Sequence, residues 1–335
     1  MAALDKTVYS GKQFEAYVSL QSGNLGANSV SGTLYKIRLA EVNDIDFSAG
    51  FQTADIERVG QRVMRPTDHI KVYKGGTFTW AFSDYVVESE AALQLLLTLA
   101  TEDETPAVTS VATGAQGTAV YEEGAATGAY ACVVISSPDA SHDRLMHSAI
   151  LQELTLSMDP TANGGRLTAS GTFFSGTFWS GYQPVIGAES TAADATAVDW
   201  TKGFFDCTTT QVGGDDVVMN KFDMTISSPA TRVGYETVNS IDGEPSAYMR
   251  GGQYSVTGNV SVKLDDNVAQ IITEEFLAGV SANISIGDGS SIDFDIPTAK
   301  YTGHTNTATE SGVFVELPWM ATADGSGALF TIIAT

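Results

Sequence analysis

Two cysteines in 335 residues, Cys132 and Cys207, are too few for a disulfide scaffold and lack metal-ligand spacing, so both read as partly buried thiols. No run approaches the roughly 18 consecutive apolar residues of a membrane span, and the amino terminus, MAALDKTVYSGKQ, has no apolar signal core. The chain therefore reads as soluble and made in a cytoplasm, with no membrane partner. Basic residues are scarce too, 17 against 40 acidic ones, for a net charge of −23. A surface of that sign repels nucleic-acid phosphate, which disfavours a DNA-reading function. A hydrophobic content of 43% excludes general disorder.

The groups that carry catalysis are also missing. The four histidines, His69, His142, His147 and His304, are scattered, and no H-x-x-x-H, C-x-x-C, G-x-S-x-G, phosphate-loop or dinucleotide pattern occurs. Asp44 with Asp46, and Asp288 with Asp293 and Asp295, lack the ligand ladder of a calcium loop and read as acids alternating on exposed strand faces. Asn259-Val-Ser and Asn283-Ile-Ser fit the glycosylation pattern but have no consequence without a signal peptide. No catalytic residue, cofactor or metal is expected, which favours a structural or assembly role over an enzyme.

What is present is a repeat. KGGTFTWAFSDYVVESEAALQLLLTL, from Lys74, returns 176 residues later as RGGQYSVTGNVSVKLDDNVAQIITEE, from Arg250. Without a gap, Phe78 falls on Tyr254, Trp80 on Val256, Val86 on Val262, and Ala92, Leu95 and Leu96 on Val268, Ile271 and Ile272. Each copy begins with period two, the pattern of a half-buried strand: Tyr254, Val256, Val260, Val262 and Leu264 share one face. It then changes to the spacing of an amphipathic helix, with Ala92, Leu95, Leu96 and Leu99 in the first copy and Val268, Ile271, Ile272 and Phe276 in the second. Ser89 and Asp265 are the expected N-caps, and Gly279 the expected stop. A gapless match through a change of period points to internal duplication.

The rest of the chain arranges itself around these units. Residues 1–33 are polar and rich in glycine and serine, and read as an arm that crosses something else and adds nothing to the core. Residues 34–180 form the first domain, opened by a strand at 34–47 and closed by a hairpin over 151–174 around DPTANGG. Residues 181–203 have a linker's composition, and 204–335 form the second domain. A strand at 217–227 opens it, and a second hairpin pairs 313–320 with 328–333 around DGSG. Matching Leu167 to Leu329 leaves the first copy 14 residues longer between helix and hairpin, where the low-complexity stretch 106–127 sits. One segment reverses the charge: Arg58, Arg62, Arg65, Lys71 and Lys74 put five basic residues in 17. They are the candidate assembly interface, meeting an acidic surface on a neighbouring copy. Their counterpart, residues 232–250, carries Glu236, Asp242 and Glu244 between its two arginines.

This order of elements resembles the major tail tube proteins of long-tailed bacteriophages. The similarity lies chiefly in FDMTISSPATRVGYETVNSIDGEPSAYMRGGQYSVTGNVSVKLDDNVAQIITEEFLAG, FDIPTAKYTG and VFVELPWMATADGSGALFTI. The resemblance implies a mainly β fold: two tandem β-sandwich or partly rolled barrel domains, each flanked by one short helix. It implies a virion protein assembled in the host cytoplasm, homotrimeric and pseudo-hexameric rings that stack into a hollow tube, and duplex DNA passing through the lumen without specific binding. The tape measure, terminator and distal tail proteins would be its other partners, and it would have no cofactor. A lumen taking part of the −23 on each chain would repel duplex phosphate and let DNA slide. Two alternatives stay open: another phage part, such as a tail terminator or capsid decoration protein, or a ligand-binding β-sandwich stacking on Trp80, Trp179, Trp200 or Trp319. Trp80 and Trp319 lie in strand patterns and are expected in the core.

Overall fold

The computed structural model describes residues 10–22, 29–30, 33–46, 52–55, 69–72, 77–101, 111–115, 120–122, 130–138, 143–176, 200–234, 247–249, 254–309, 312–323 and 328–334. The protein is mainly β, with a large antiparallel sheet, as expected. Up to the first helix, the strands are β1 (Glu15–Ser22), β2 (Ser29–Val30), β3 (Tyr35–Ile37), β4 (Gln52–Asp55), β5 (His69–Val72) and β6 (Phe78–Val86), followed by α1 (Glu90–Ala100). Next come β7 (Val111–Ala115), β8 (Val120–Glu122), β9 (Ala131–Ser136), β10 (Arg144–Met158) and β11 (Leu167–Ser175). After residue 200 follow β12 (Thr209–Val212), β13 (Asp215–Asp216), β14 (Met219–Ser227), β15 (Thr231–Val233), β16 (Ala247–Met249), β17 (Ser255–Lys263) and α2 (Asp266–Ile271). The chain closes with β18 (Ala282–Gly287), β19 (Ile292–Tyr301), β20 (Thr305–Thr309), β21 (Gly312–Ala321) and β22 (Ala328–Ala334).

The spine of the sheet runs β6–β11–β10–β14–β17–β21, every pair antiparallel. It crosses from the first half of the chain to the second between β10 and β14, where Glu153 to Met158 face Ser227 to Phe222. Branches leave at β1, β10, β19 and β21; beyond β21 the pairings run through β19, β18 and β12 back to the chain entering β14, where β13 pairs with β12 and the Val217 amide donates to the Thr210 carbonyl, so the sheet closes into a barrel. Alternation decides which side is core. Leu154, Leu156 and Met158, Phe222, Met224 and Ile226, and Val256, Val260 and Val262 are all buried, while the residues between them are mostly half-buried or exposed. The sheet bends where an extra residue enters a strand. Asp84 (φ 54°) sits at the break in register between β6 and β11, and Ser148 (φ 49°) at the break between β9 and β10.

Both strand–helix units form where the repeat places them. Ser89 Oγ accepts from the Ala92 amide and Asp265 Oδ1 from the Val268 amide, so the two N-caps are as expected. Gly279 takes a left-handed φ of 66° and its amide closes on the Phe276 carbonyl. The strands share a further detail. Phe82 and Gly258, equivalent in the gapless match, face Gly171 and Trp319 across their partner strands. Each pair joins an aromatic residue to a glycine, with the two members exchanged between the units. A Cβ at Gly171 would meet the Phe82 ring at 2.9 Å, and one at Gly258 would strike the Trp319 ring and the Asp223 carbonyl.

Several expectations need correction. Residues 15–22 are not a crossing arm: β1 lies between β3 and β9, and Ala16, Tyr17, Val18 and Ser19 are buried. Its polar flanks lower the mean hydropathy that a window reads, while one short strand buried on both faces supplies the burial. β21 and β22 do not form a hairpin with each other. Both pair with β19, Tyr301 facing Trp319 and Phe294 facing Ile332. β21, not β22, therefore occupies the place of β11, and the first half is longer than the hairpin match implied. Between 34 and 47 only β3 and a bridge from Asp46 to Thr79 are regular. The second helix is α-helical only to Ile271; at Ile272–Phe276 it widens to a π turn, in which the Leu277 amide reaches the Ile272 carbonyl at 3.0 Å.

The low-complexity stretch of the first half supplies strands to the second. β7 pairs with β22, and β8 extends the small sheet of β15 and β16. Tyr248 in β16 is buried beside Tyr130 and Phe174, and its hydroxyl accepts from the Gly176 amide at 2.7 Å.

Candidate functional site

The feature that the fold builds from both halves is the polar face of the spine. In β10 and β11 it carries Glu153, Thr155, Ser157, Thr168, Ser170 and Thr172; in β14, Lys221, Asp223 and Thr225; and further on Thr257, Asn259 and Glu316. The segments LTLS, LTAS and FDMTIS place a small polar residue at every second position, so the apolar side packs and the hydroxyl side stays wet. Across the join between the halves, the Thr155 and Thr225 hydroxyls lie 2.9 Å apart in a hydrogen bond. Asp84, Asp159, Asn163, Arg166, Lys221 and Asp223 rim an open hollow of about 350 Å³ on this face.

Its electrostatics lean acidic. Asp223 is held above the usual carboxylate range by burial and by Glu316, and Lys221, with Nζ 3.9 Å from the carboxylate, only partly offsets this. Asn259 Nδ2 donates to Glu316 on the neighbouring strand. Asp159, at the mouth of the β10–β11 turn, is pulled down chiefly by the Thr161 hydroxyl, which donates to it at 2.6 Å. The sequence contained the signal for this face in the polar phase of its alternation. It did not contain the joining of the halves, because nothing local specifies that β10 pairs with β14.

Of the proposed assembly residues, Arg58, Arg62, Arg65 and Lys74 lie outside the described residues. Lys71 lies on β5, opposite Thr53 of β4. Glu236, Asp242 and Glu244 are also outside them. At the ends of that segment, Arg232 donates to the Gly176 carbonyl at 3.1 Å and Tyr248 is buried, so both ends are tied to their own chain.

The acidic clusters do not converge as ligand sets. Asp44 pairs with Arg144, whose guanidinium lies over the Phe14 ring. Asp288 caps its own turn, accepting from the amides of Ser290, Ser291 and Ile292 at 2.8, 2.6 and 3.0 Å. Burial pushes against its ionisation, but these donors outweigh it and hold the carboxyl at about 2. Asp293 and Asp295 are shifted the other way, first by burial and, for Asp293, by its acidic neighbours. Among the described residues no three His, Cys, Asp or Glu side chains are grouped to hold a metal. Burial pushes the thiols of Cys132 and Cys207 up to about 12. Trp80, Trp200 and Trp319 are buried and offer no stacking platform, and Trp179 lies outside the described residues. Among the described residues no helix is long and apolar enough to cross a membrane. Compared with known proteins, the chain matches no protein-family model and no curated protein.

Proposed function

We propose that this protein is a structural virion component that polymerises into stacked rings forming a hollow phage tail tube, each ring made of three tandem-duplicated chains. The observation that carries the reading is the spine. It runs without a break from one half of the chain into the other, through β10 and β14, and presents one apolar and one polar, acid-bearing face. A sheet that joins two similar units side by side is the element that a ring repeats. Its hydroxyl-lined face, with Glu153, Asp223 and Glu316 against Lys221, suits a wall along which duplex DNA moves without sticking. The acidic excess of the whole chain acts in the same sense. The exchanged aromatic–glycine pairs and the matching N-caps support a common origin of the two units.

Negative-stain microscopy of the purified protein across concentration and salt tests this. Hollow tubes with a regular axial repeat are expected; a persistent monomer or an isolated ring moves the reading to a terminator or decoration protein. The basic segment would join ring to ring, so reversing Arg58, Arg62 and Arg65 to Glu should abolish stacking and leave a folded protomer. Tubes of normal length from that triple variant would reject the role.

A further inference from the structure

The apolar stripe of the second helix carries one residue more than that of the first. Ala92, Leu95, Leu96 and Leu99 follow at i, i+3, i+4 and i+7, whereas Val268, Ile271, Ile272 and Phe276 follow at i, i+3, i+4 and i+8. The π turn at Ile272–Phe276 absorbs the extra residue, so Phe276 still packs on the core as Leu99 does. The widened turn brings Glu275 over the β12–β13 hairpin. Gly213 and Gly214 form the bend of that hairpin with φ of 66° and 88°, and a Cβ at Gly213 would strike the Glu275 carboxylate, so the contact needs the glycine.

The fold gives this carboxylate no donor. Glu275 Oε2 is buried without a hydrogen-bond partner, and so is the hydroxyl of Tyr301 on β19, the strand against which the π turn lies. Tyr301 is 8% exposed, and burial first and the Glu275 charge second push its hydroxyl up. The charged groups that face Glu275 are Asp215 from β13 and Glu274 from its own turn, both acidic. His304, just before β20, meets the adjoining Phe276 ring edge-on at 5.3 Å. An ionised carboxylate here is partly stripped of water and set beside two like charges; the neutral acid escapes both penalties.

We propose that Glu275 is a proton-operated latch on residues 272–280: protonated, it seats the π turn on the bend of Gly213 and Gly214; ionised, it lifts the turn together with the exposed Leu277 and Val280. Three backbone bonds report the seat. The amides of Leu277, Gly279 and Val280 donate to the carbonyls of Ile272, Phe276 and Glu275 at 3.0, 3.1 and 3.0 Å. Because the folded contacts disfavour the ionised form, the seat is firm in mild acid and loosens as pH rises through the raised folded value of Glu275. The latch belongs to the protomer and does not depend on tube formation.

Hydrogen exchange of the unassembled protein, expressed as protection factors so that intrinsic rates cancel, tests this at about pH 5 and about pH 8. Protection at Leu277, Gly279 and Val280 should fall at least tenfold between the two, with the amides of β17 unchanged as the control for global unfolding. Glu275→Gln, which keeps the shape and cannot ionise, should hold high protection at both pH values. Asp215→Asn should move the change to lower pH, because one like charge is gone. Equal protection at both pH values in the unmodified protein, or the same fall in Glu275→Gln, would overturn the latch. Should Glu275→Gln fail to fold, Asp215→Asn decides, and an unmoved transition overturns it.

Discussion

Helix α1 buries Leu93, Leu95, Leu96, Leu97, Thr98 and Leu99, whereas α2 buries only Val268 and Ile271, and just past its π turn Leu277 is 69% exposed. The two begin from matching sequence, with the same strand before them and the same kind of cap. The difference lies in what covers them. α1 packs beneath β3, β7, β10 and β22, of which β3 follows the glycine- and serine-rich start of the chain and β7 lies in the low-complexity stretch. Among the described residues, the second helix sends Val268 and Ile271 into the core and its π turn lies against β19. One amphipathic pattern thus leads to a helix covered all round or to one covered on a single side, and distant elements make the choice.

Truncation should show that contrast most strongly. Leu96→Ala is expected to cost about 3 kcal/mol by denaturant unfolding, and Leu277→Ala to stay within about 0.5 kcal/mol. Equal costs would mean that α2 is covered in the protomer. The exchanged pairs give a sharper test. Gly171→Val and Gly258→Val each force a side chain into an aromatic ring and should cost roughly 1–3 kcal/mol. Phe82→Gly combined with Gly171→Phe copies the arrangement of the second half and should recover at least about 1 kcal/mol of the summed single losses, measured as a double-mutant cycle. Strict additivity would mean that the two positions do not act as a pair. Smaller again, Ser89→Ala and Asp265→Ala should each cost about 1 kcal/mol, alike in both units because the caps are alike.

The pH response sets the two kinds of carboxyl against each other. Asp223, Asp293, Asp295 and Glu275 have folded-state values raised above their ordinary ones, so the folded protein takes up their protons first. Stability should therefore rise as pH falls from neutral through those raised values. Asp288 runs the other way: its contribution is complete above the ordinary value of 3.8 and is lost as pH falls toward about 2. The thermal midpoint should peak in mild acid, and Asp223→Asn should reduce the rise on its limb. A midpoint that falls steadily from pH 7 would contradict the assignment.

Much of the fold was legible in the sequence wherever a period or a cap was local. The strand–helix units, Ser89, Asp265 and Gly279 formed as expected, as did the turn at 159–165 and the polar phase of β10, β11 and β14. Partner choice was not legible. β22 carries the alternation of a hairpin strand but joins β19 because register between distant strands depends on the assembled core. β1 was hidden by its polar flanks, and the continuity of the polar face depends on the β10–β14 pairing, which no local pattern announces.

The most direct test of the tube is cryo-electron microscopy of the polymer grown from purified protein, with the chains per ring counted from its symmetry. The account predicts a hollow tube of stacked rings, each with three chains and six similar lobes around the lumen, and the face of Thr155, Asp223 and Glu316 turned inward. Rings of six chains, a solid filament or a persistent monomer would contradict it.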